Sequence, residues 1–518
     1  MGTKQHSNYE SLITFTRASA GHALRPVSYG DELVVNGGFD TDSDWVKGSS
    51  WSISGGVASA DGTVGGATLR QELTNTAIGD LLFIEYTISN WNSTGTHNVL
   101  LGSTASANNT GNGTFYVALV QNGDKEINIQ TKGGAAFDVD NVSVKEVTFD
   151  ESDGTLTLFE HPEGIPRVEW DSAGNRLGML VEEARTNYIG YSDFSSAWGE
   201  NLGGAITANQ AEGLDKTQSM ALLETSGISS GIYANTVNRH TASASGETYT
   251  LSVIVKHVAG GTQLRFRLEG AAFTGAIQGI AVDLSDGSFV SNSNVAPDAY
   301  EIKSFGNGFY RVSITGTTVA SGDIIPVFYG NINEDADFYI GMAQLEAGSF
   351  PTSYIKSNSG STTTRSADVA SIPVADFGYN QSAGTISFDF QVNESTANKR
   401  LVSLNADNSN NRIDALLLPS NVIQVYTMDG GVNQSFIGTG NTYTDSTMAK
   451  FAFSYKKDDY AITLNGGTVV TDTSASVPSV TQLEIGTGPI GDYANGHIKS
   501  IKYYPRRLTN AQLVELTS

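Results

Sequence analysis

The 518-residue chain contains no cysteine, which removes disulfide frameworks, thiolate zinc sites and thiol nucleophiles together. Cations are scarce: 30 Lys and Arg stand against 54 Asp and Glu, a formal net charge of −24. Nucleic acid and anionic membranes are gripped through clustered cations, so a general affinity for either is excluded. There is no run of about 18 apolar residues of the kind that spans a bilayer. The opening Met1-Gly-Thr-Lys-Gln-His-Ser-Asn8 lacks the apolar centre of a secretion signal. The expectation is a soluble chain made in a cytoplasm, with no membrane insertion. Convincing helical periodicity is also nearly missing, and proline is limited to 11 residues.

What the chain does have is 57 Gly, 22 Phe, 21 Tyr and short alternating apolar runs. Leu81–Ser89, Thr248–Lys256, Thr385–Val392 and Lys450–Tyr455 alternate apolar and polar residues between clusters of Gly, Asn, Asp and Ser. Period two between turn signals marks half-buried antiparallel strands. The fold class is therefore all-β, built of several sandwiches with very little helix. One helix is expected at the C-terminus, over Asn510–Leu516, with Thr509 as its cap after Pro505 has ended the last strand. Asp153-Gly154, Asp286-Gly287 and Leu464-Asn-Gly-Gly467 read as turns, Asn-Gly being the favoured two-residue hairpin type.

At roughly 150 residues per domain the length calls for three or four, and an internal repeat locates them. Leu82, Ile84, Tyr86 and Ile88 fall over Tyr249, Leu251, Val253 and Val255, and Val99 and Leu101 fall over Phe266 and Leu268. The copies open alike, with Asn36-Gly-Gly-Phe-Asp40 before Trp45 and Tyr191-Ser-Asp-Phe194 before Trp198. They end alike, with Phe137–Val144 against Phe338–Leu345. The resulting map is an N-terminal framework segment at 1–30, a first jelly roll at 31–148 and a connector of short strands at 149–186. A second jelly roll follows at 187–356, then a Ser/Thr-rich linker at 357–365 and a third sandwich at 366–518.

Several of these stretches resemble known families. Glu32–Asp40 through Trp45 and Trp51 to Asp138–Val144 resembles a carbohydrate-binding-module jelly roll. Phe15-Thr-Arg-Ala-Ser19, Arg167-Val-Glu-Trp-Asp171, Leu180–Asn187, Gly348–Ile355 and Thr364–Asp368 together resemble tailed-phage virion proteins, chiefly tail-fibre or tailspike-like ones. In those relatives the first segment runs almost directly into the next two, so 31–148 looks like a domain inserted into a surface loop. The third sandwich resembles a concanavalin A-like or laminin-G-like domain. The resemblances imply a non-catalytic phage virion protein, on the tail or capsid surface, that recognises bacterial surface polysaccharide during host attachment. They also imply other phage virion proteins as partners and a homotrimer. No heptad zone in the sequence would enforce trimerisation.

Sugar recognition needs a ring to stack on a pyranose face, flanked by groups that hydrogen-bond its hydroxyls. The outward faces of the repeated strands supply candidates. In the first copy these are Glu85, Thr87, Asn98 and the loop ring Trp91; in the second they are Lys256, Arg265, Arg267 and Glu269, alternating with Leu264, Phe266 and Leu268. Outward polar residues also simply solvate a sheet. Trp45, Trp51 and Trp198 are expected in the cores. The carbohydrate-binding resemblance implies a structural calcium in the first jelly roll, held by Asp40 and Asp140. The second copy has Gly341 in place of Asp140, so the ion would be lost there.

No catalytic constellation emerges. The seven histidines, at 6, 22, 97, 161, 240, 257 and 497, lack metal-ligand spacing, and the strand Ile386-Ser-Phe-Asp-Phe390 does not line up several alternating acids as sandwich hydrolases usually do. Glu163 and Glu169 are the one conceivable acid pair. The expectation is a non-enzyme, with two alternatives: a purely structural virion component that binds other virion proteins, and a polysaccharide depolymerase.

Overall fold

The computed structural model describes residues 12–149, 154–227, 230–273, 275, 277–331 and 334–518. Almost all regular structure is antiparallel strand, and the one α-helix among the described residues is Asn510–Thr517. Its Thr509 side chain accepts from the Gln512 N–H while the Gln512 side chain accepts from the Thr509 N–H, the reciprocal box that ends a chain reversal in a helix. No described helix is long and apolar enough to cross a membrane.

The chain divides into two compact units, Arg25–Pro162 and Met1–Leu24 with Glu163–Ser518. The Arg25–Pro162 unit is one sandwich. One of its sheets runs Gly113–Val120, Leu81–Ser89, Phe137–Thr148, Gly21–Glu32, Thr155–His161, with the hairpin Trp51–Ser54 and Val57–Ala60 set against Phe137–Thr148. The other runs Val46–Lys47, Thr68–Glu72, Glu126–Lys132, Thr96–Leu101, Thr104–Ala105. Trp45, Trp51, Leu82, Ile84, Tyr86, Ile88, Val99 and Leu101 are buried between them.

The other unit holds two sandwiches. The first pairs the sheet Trp198–Asn201, Gly231–Ala234, Gly322–Gly330, Gln263–Glu269, Gln278–Asp283, Ser288–Asn292 with the sheet Ala205–Ala211, Met220–Thr225, Ala336–Ala347, Thr248–Gly260, Phe309–Thr317, Ala299–Gly306. Its core takes Trp198, Leu251, Val253, Phe266, Phe328 and Leu345. The second is closed by strands from distant parts of the chain. Thr14–Thr16 and Val369–Pro373 complete one sheet, and Val168–Trp170 and Arg176–Val181 extend the other beside Gly496–Tyr504. Its hairpin after Leu464 places Asn465 and Gly466 both at positive φ, 47° and 67°, as a tight two-residue turn requires.

The connector expected at 149–186 is thus shared out. Thr155–His161 joins the sheet of the Arg25–Pro162 sandwich, while Val168–Trp170 and Arg176–Val181 belong to the C-terminal sandwich. The Ser/Thr-rich passage is anchored, since Thr363–Arg365 pairs with Arg185–Asn187 and Ser357 is buried. Asp153 and residues 1–11 lie outside the described residues; Asp286-Gly287 does turn the hairpin, with Gly287 N–H donating to Asp283 O at 2.8 Å.

The repeat extends to the backbone. Trp45 Nε1 donates to Asn36 O and Trp198 Nε1 to Tyr191 O, each at 3.1 Å. The Val142 N–H reaches Gly37 O and the Ala343 N–H reaches Ser192 O, each at 2.9 Å; Leu33 to Val144 and Tyr188 to Leu345 repeat a third bond, also at 2.9 Å. Asn141 and Met342 occupy the same left-handed bulge position, with φ of 53° and 56°. The two jelly rolls are built on one plan, and their differences lie in what each outer face carries.

Candidate functional site

The outward face of the sheet containing Gln263–Glu269 carries the most site-like set of side chains. Strand alternation buries Leu264, Phe266 and Leu268 and leaves Arg265, Arg267 and Glu269 half-exposed on the other face. Arg265 stands directly across from Tyr329, which in turn faces Gly231. Arg267 stands across from Val327, and Val327 from Tyr233. Glycine makes room for the rings. A Cβ on Gly199 would lie 2.4 Å from the Tyr233 ring, and one on Gly231 would lie 2.8 Å from Tyr329. Both tyrosines therefore lie down over bare backbone, half-buried rather than upright.

Polar contacts fix the groups around the rings. Arg267 Nε donates to Ser293 Oγ at 2.6 Å and Nη1 to Glu269 Oε1 at 3.3 Å, and its guanidinium sits 5.1 Å from the Tyr329 ring centre. Arg265 Nη2 donates to the neutral Asn331 Oδ1 at 3.1 Å, and no carboxylate among the described residues bonds to it. Burial, with the charge of Arg267 beside it, lowers the Arg265 pKa. Burial and the Glu269 charge raise that of the Tyr329 phenol, which stays a hydrogen-bond donor. Asn201 Nδ2 lies 3.5 Å from the Tyr329 hydroxyl. Lys256, on the opposite sheet, instead places its ammonium 4.9 Å from the Phe309 ring.

The first jelly roll distributes its candidates differently. Glu85 is half-exposed across from Tyr116 and Ser143. Burial raises its pKa, with Lys145 opposing and Glu32 adding to the rise. Thr87 meets the Thr114 hydroxyl at 3.1 Å. Trp91 is half-buried against the core, with Nε1 enclosed. Asn98, expected on an open face, is only 1% exposed. The cause is the segment after Thr104–Ala105, which returns along the strand through bonds between His97 and Asn109 and between Ser106 and Val99. Asp40 is exposed; Asp140 accepts its neighbour's Asn141 N–H at 2.6 Å. No group of three or more His, Asp and Glu side chains among the described residues is gathered as a metal cage.

The phage-like motifs meet elsewhere, in a buried ion network. Arg17, Arg167 and Arg365 share Asp368 and Glu182. Arg17 Nη1 reaches Asp368 Oδ1 at 3.2 Å and Arg167 Nη1 reaches Glu182 Oε2 at 2.9 Å. Ser353 N–H and Oγ donate to Glu182 at 2.8 and 2.6 Å. Burial would raise the Glu182 pKa, yet Arg365 and Arg167 hold it far below the usual carboxylate range. Burial and Arg167 together bring Arg17 down to about 10. Asn187 adds four bonds, to Ala343, Ile355, Ile189 and Leu345. Arg17, Arg167, Glu182, Asn187, Arg365 and Asp368 are all buried, and their bonds hold the framework together.

The one conceivable acid pair, Glu163 and Glu169, is not assembled. Glu163 is exposed, whereas Glu169 accepts a 2.6 Å bond from His497 Nε2. Burial would raise the Glu169 pKa, but that bond and the His497 charge bring it below the ordinary value. Tyr233, Tyr329 and Asn201 are the site residues that sequence reasoning passed over. Their signal is period two: Tyr233 alternates with buried Ile232 and Ala234, and Tyr329 with buried Phe328 and Gly330.

No family model and no curated protein matches the chain. Among solved structures it is similar to the NanB sialidase of Streptococcus pneumoniae, at 15% identity and a TM-score of 0.24, over 28% of this chain and 26% of that one. It is similar to the Ruminococcus gnavus IT-sialidase CBM40 bound to α2,3-sialyllactose, at 15% identity and a TM-score of 0.25, over 28% of this chain and 87% of that one. A leech intramolecular trans-sialidase gives 13% identity and a TM-score of 0.24, over 28% of this chain and 24% of that one. The match thus spans about a quarter of the whole sialidase chains.

Proposed function

We propose that this chain is a non-catalytic glycan-binding protein of the phage fibre or spike type, exposed on the particle and recognising bacterial surface polysaccharide during attachment. The observation that carries the reading is the outer face built by Tyr233, Tyr329, Arg265 and Arg267, where two rings lie over glycines amid amide and guanidinium donors. Rings flanked by fixed donors suit the alternating apolar faces and hydroxyls of a pyranose. The phage part of the reading rests on the motif resemblance and on the motifs' convergence in one buried network. Copies of a homotrimer engaging together would raise weak sugar affinities by orders of magnitude.

The test is an array of bacterial surface polysaccharides probed with the whole chain. Retention on a subset, with no release of reducing ends, is expected. Absence of retention on every polysaccharide would remove the glycan reading, and release of reducing ends would remove its non-catalytic part. The reading extends to a calcium ion at Asp40 and Asp140, whose segments are joined by the bond from Val142 N–H to Gly37 O. Chelator should then lower the melting temperature of the Asp40-bearing sandwich; an unchanged melt would delete the ion. A structural role in the virion is the second reading, favoured by the exposed edge rings Phe289 and Tyr300, stacked 5.0 Å apart.

A further inference from the structure

Resting on the glycan reading, the geometry points to an acidic sugar as the ligand of the Tyr233–Arg265 face: a pyranose bearing a carboxylate, sulfate or phosphate group. Three observations lead there. The first is the asymmetry of the two arginines. Arg267 is held by Ser293 and Glu269 and covers the Tyr329 ring, so its charge is already answered. Arg265 is half-exposed, bonded to a neutral amide, and its guanidinium retains donors that match an oxyanion.

The second is spacing. Tyr233, Tyr329 and Arg265 lie on three successive strands, with Arg265 two residues out of register from Tyr233, whose own cross-strand row ends in Arg267; two strand separations and two residues put the Tyr233 and Arg265 backbones about 12 Å apart. An oligosaccharide that stacks on Tyr233 and runs on across Tyr329 brings an anionic substituent to the long Arg265 side chain, with Asn201 and the Tyr329 hydroxyl to one side, at the outer strand Trp198–Asn201. The third is the charge of the chain. At −24, its long-range field repels polyanions, and salt screens that field beyond about 8 Å. An anion can then be held only by short, directional contact, which selects a substituent at a fixed position on an oligosaccharide and not a dense polyanion such as nucleic acid.

The experiment titrates the whole chain with trigalacturonic acid, its methyl ester, and galactose oligomers bearing 6-sulfate, 6-phosphate or no charge. At least one anionic probe should bind about tenfold or more tighter than its uncharged counterpart, the size of a charge-assisted bond. The preferred probe identifies the anionic group. Arg265→Gln should erase the preference, bringing charged and uncharged probes to the same affinity, while Tyr233→Ala should weaken both and keep the preference. Thermal melts of each variant check that it is folded. Equal binding of charged and uncharged sugars, or a preference surviving Arg265→Gln, would overturn the inference without touching the glycan reading, which the polysaccharide array tests separately. Failure of every probe to bind would also overturn it.

Discussion

Arg167 and Asp368, 201 residues apart in sequence, form a side-chain ion pair in which neither side chain has any exposed surface. Asp368 also pairs with Arg17 and accepts the Glu182 N–H at 2.9 Å. One carboxylate therefore ties together the N-terminal strand, the segment after Pro166 and the start of the C-terminal sandwich. Asp368→Ala would leave buried guanidinium groups uncompensated. A loss of about 3 to 5 kcal/mol is expected, read as a lower denaturation midpoint for the unit containing residues 163–518. A midpoint unchanged from the parent would show that the network does not hold that framework.

His97 predicts a pH dependence in the Arg25–Pro162 sandwich. Its ring is fully buried among Tyr86, Phe115 and Phe137, 4.7 to 5.7 Å away. Burial brings its pKa down to about 4, against roughly 6.5 in an unfolded chain. Between these values the unfolded state binds more protons, so stability is full above about pH 6.5 and falls as pH drops toward 4, by about 3 kcal/mol in all. His97→Leu should flatten that part of the stability profile. A slope unchanged in the variant would assign it to other groups.

Gly199 predicts a functional effect with little cost in stability. An alanine Cβ there would meet the Tyr233 ring at 2.4 Å, and the ring, half-exposed, can swing away. Gly199→Ala should keep the melting temperature near the parent value while glycan binding drops several-fold. A variant binding as well as the parent would remove Tyr233 from the site.

Trp198 predicts the converse. It is buried against Phe194 and Phe328, with ring centres 4.4 and 5.8 Å away. Trp198→Ala should cost about 3 to 5 kcal/mol in the second jelly roll, seen by near-ultraviolet dichroism during denaturation. A much smaller loss would mean that the shared Trp-to-carbonyl closure is not a keystone of the plan.

Much of this fold was legible in the sequence because period-two alternation and turn residues are local signals. Leu81–Ser89 was delimited to the residue, and Thr509 does cap the final helix. The repeat was legible because the two copies bury corresponding side chains. Less visible was anything decided by pairing between distant segments. The strand Val168–Trp170 belongs to the C-terminal sandwich because its partner Arg176–Val181 pairs with Gly496–Tyr504, which no local pattern encodes. Asn98 alternates as an outward residue should, yet a returning loop covers it. Arg265 and Arg267 were placed correctly on their face by alternation, but Tyr233 and Tyr329 join them only through the register of three strands.

The central claim is that the outer face of the second jelly roll holds a glycan. A crystal structure of the chain soaked with an oligosaccharide retained on the polysaccharide array tests it most directly. The account predicts a sugar ring stacked on Tyr233, with polar contacts to Asn201, the Tyr329 hydroxyl and Arg265. A sugar bound on another face, with this one bare, would contradict it.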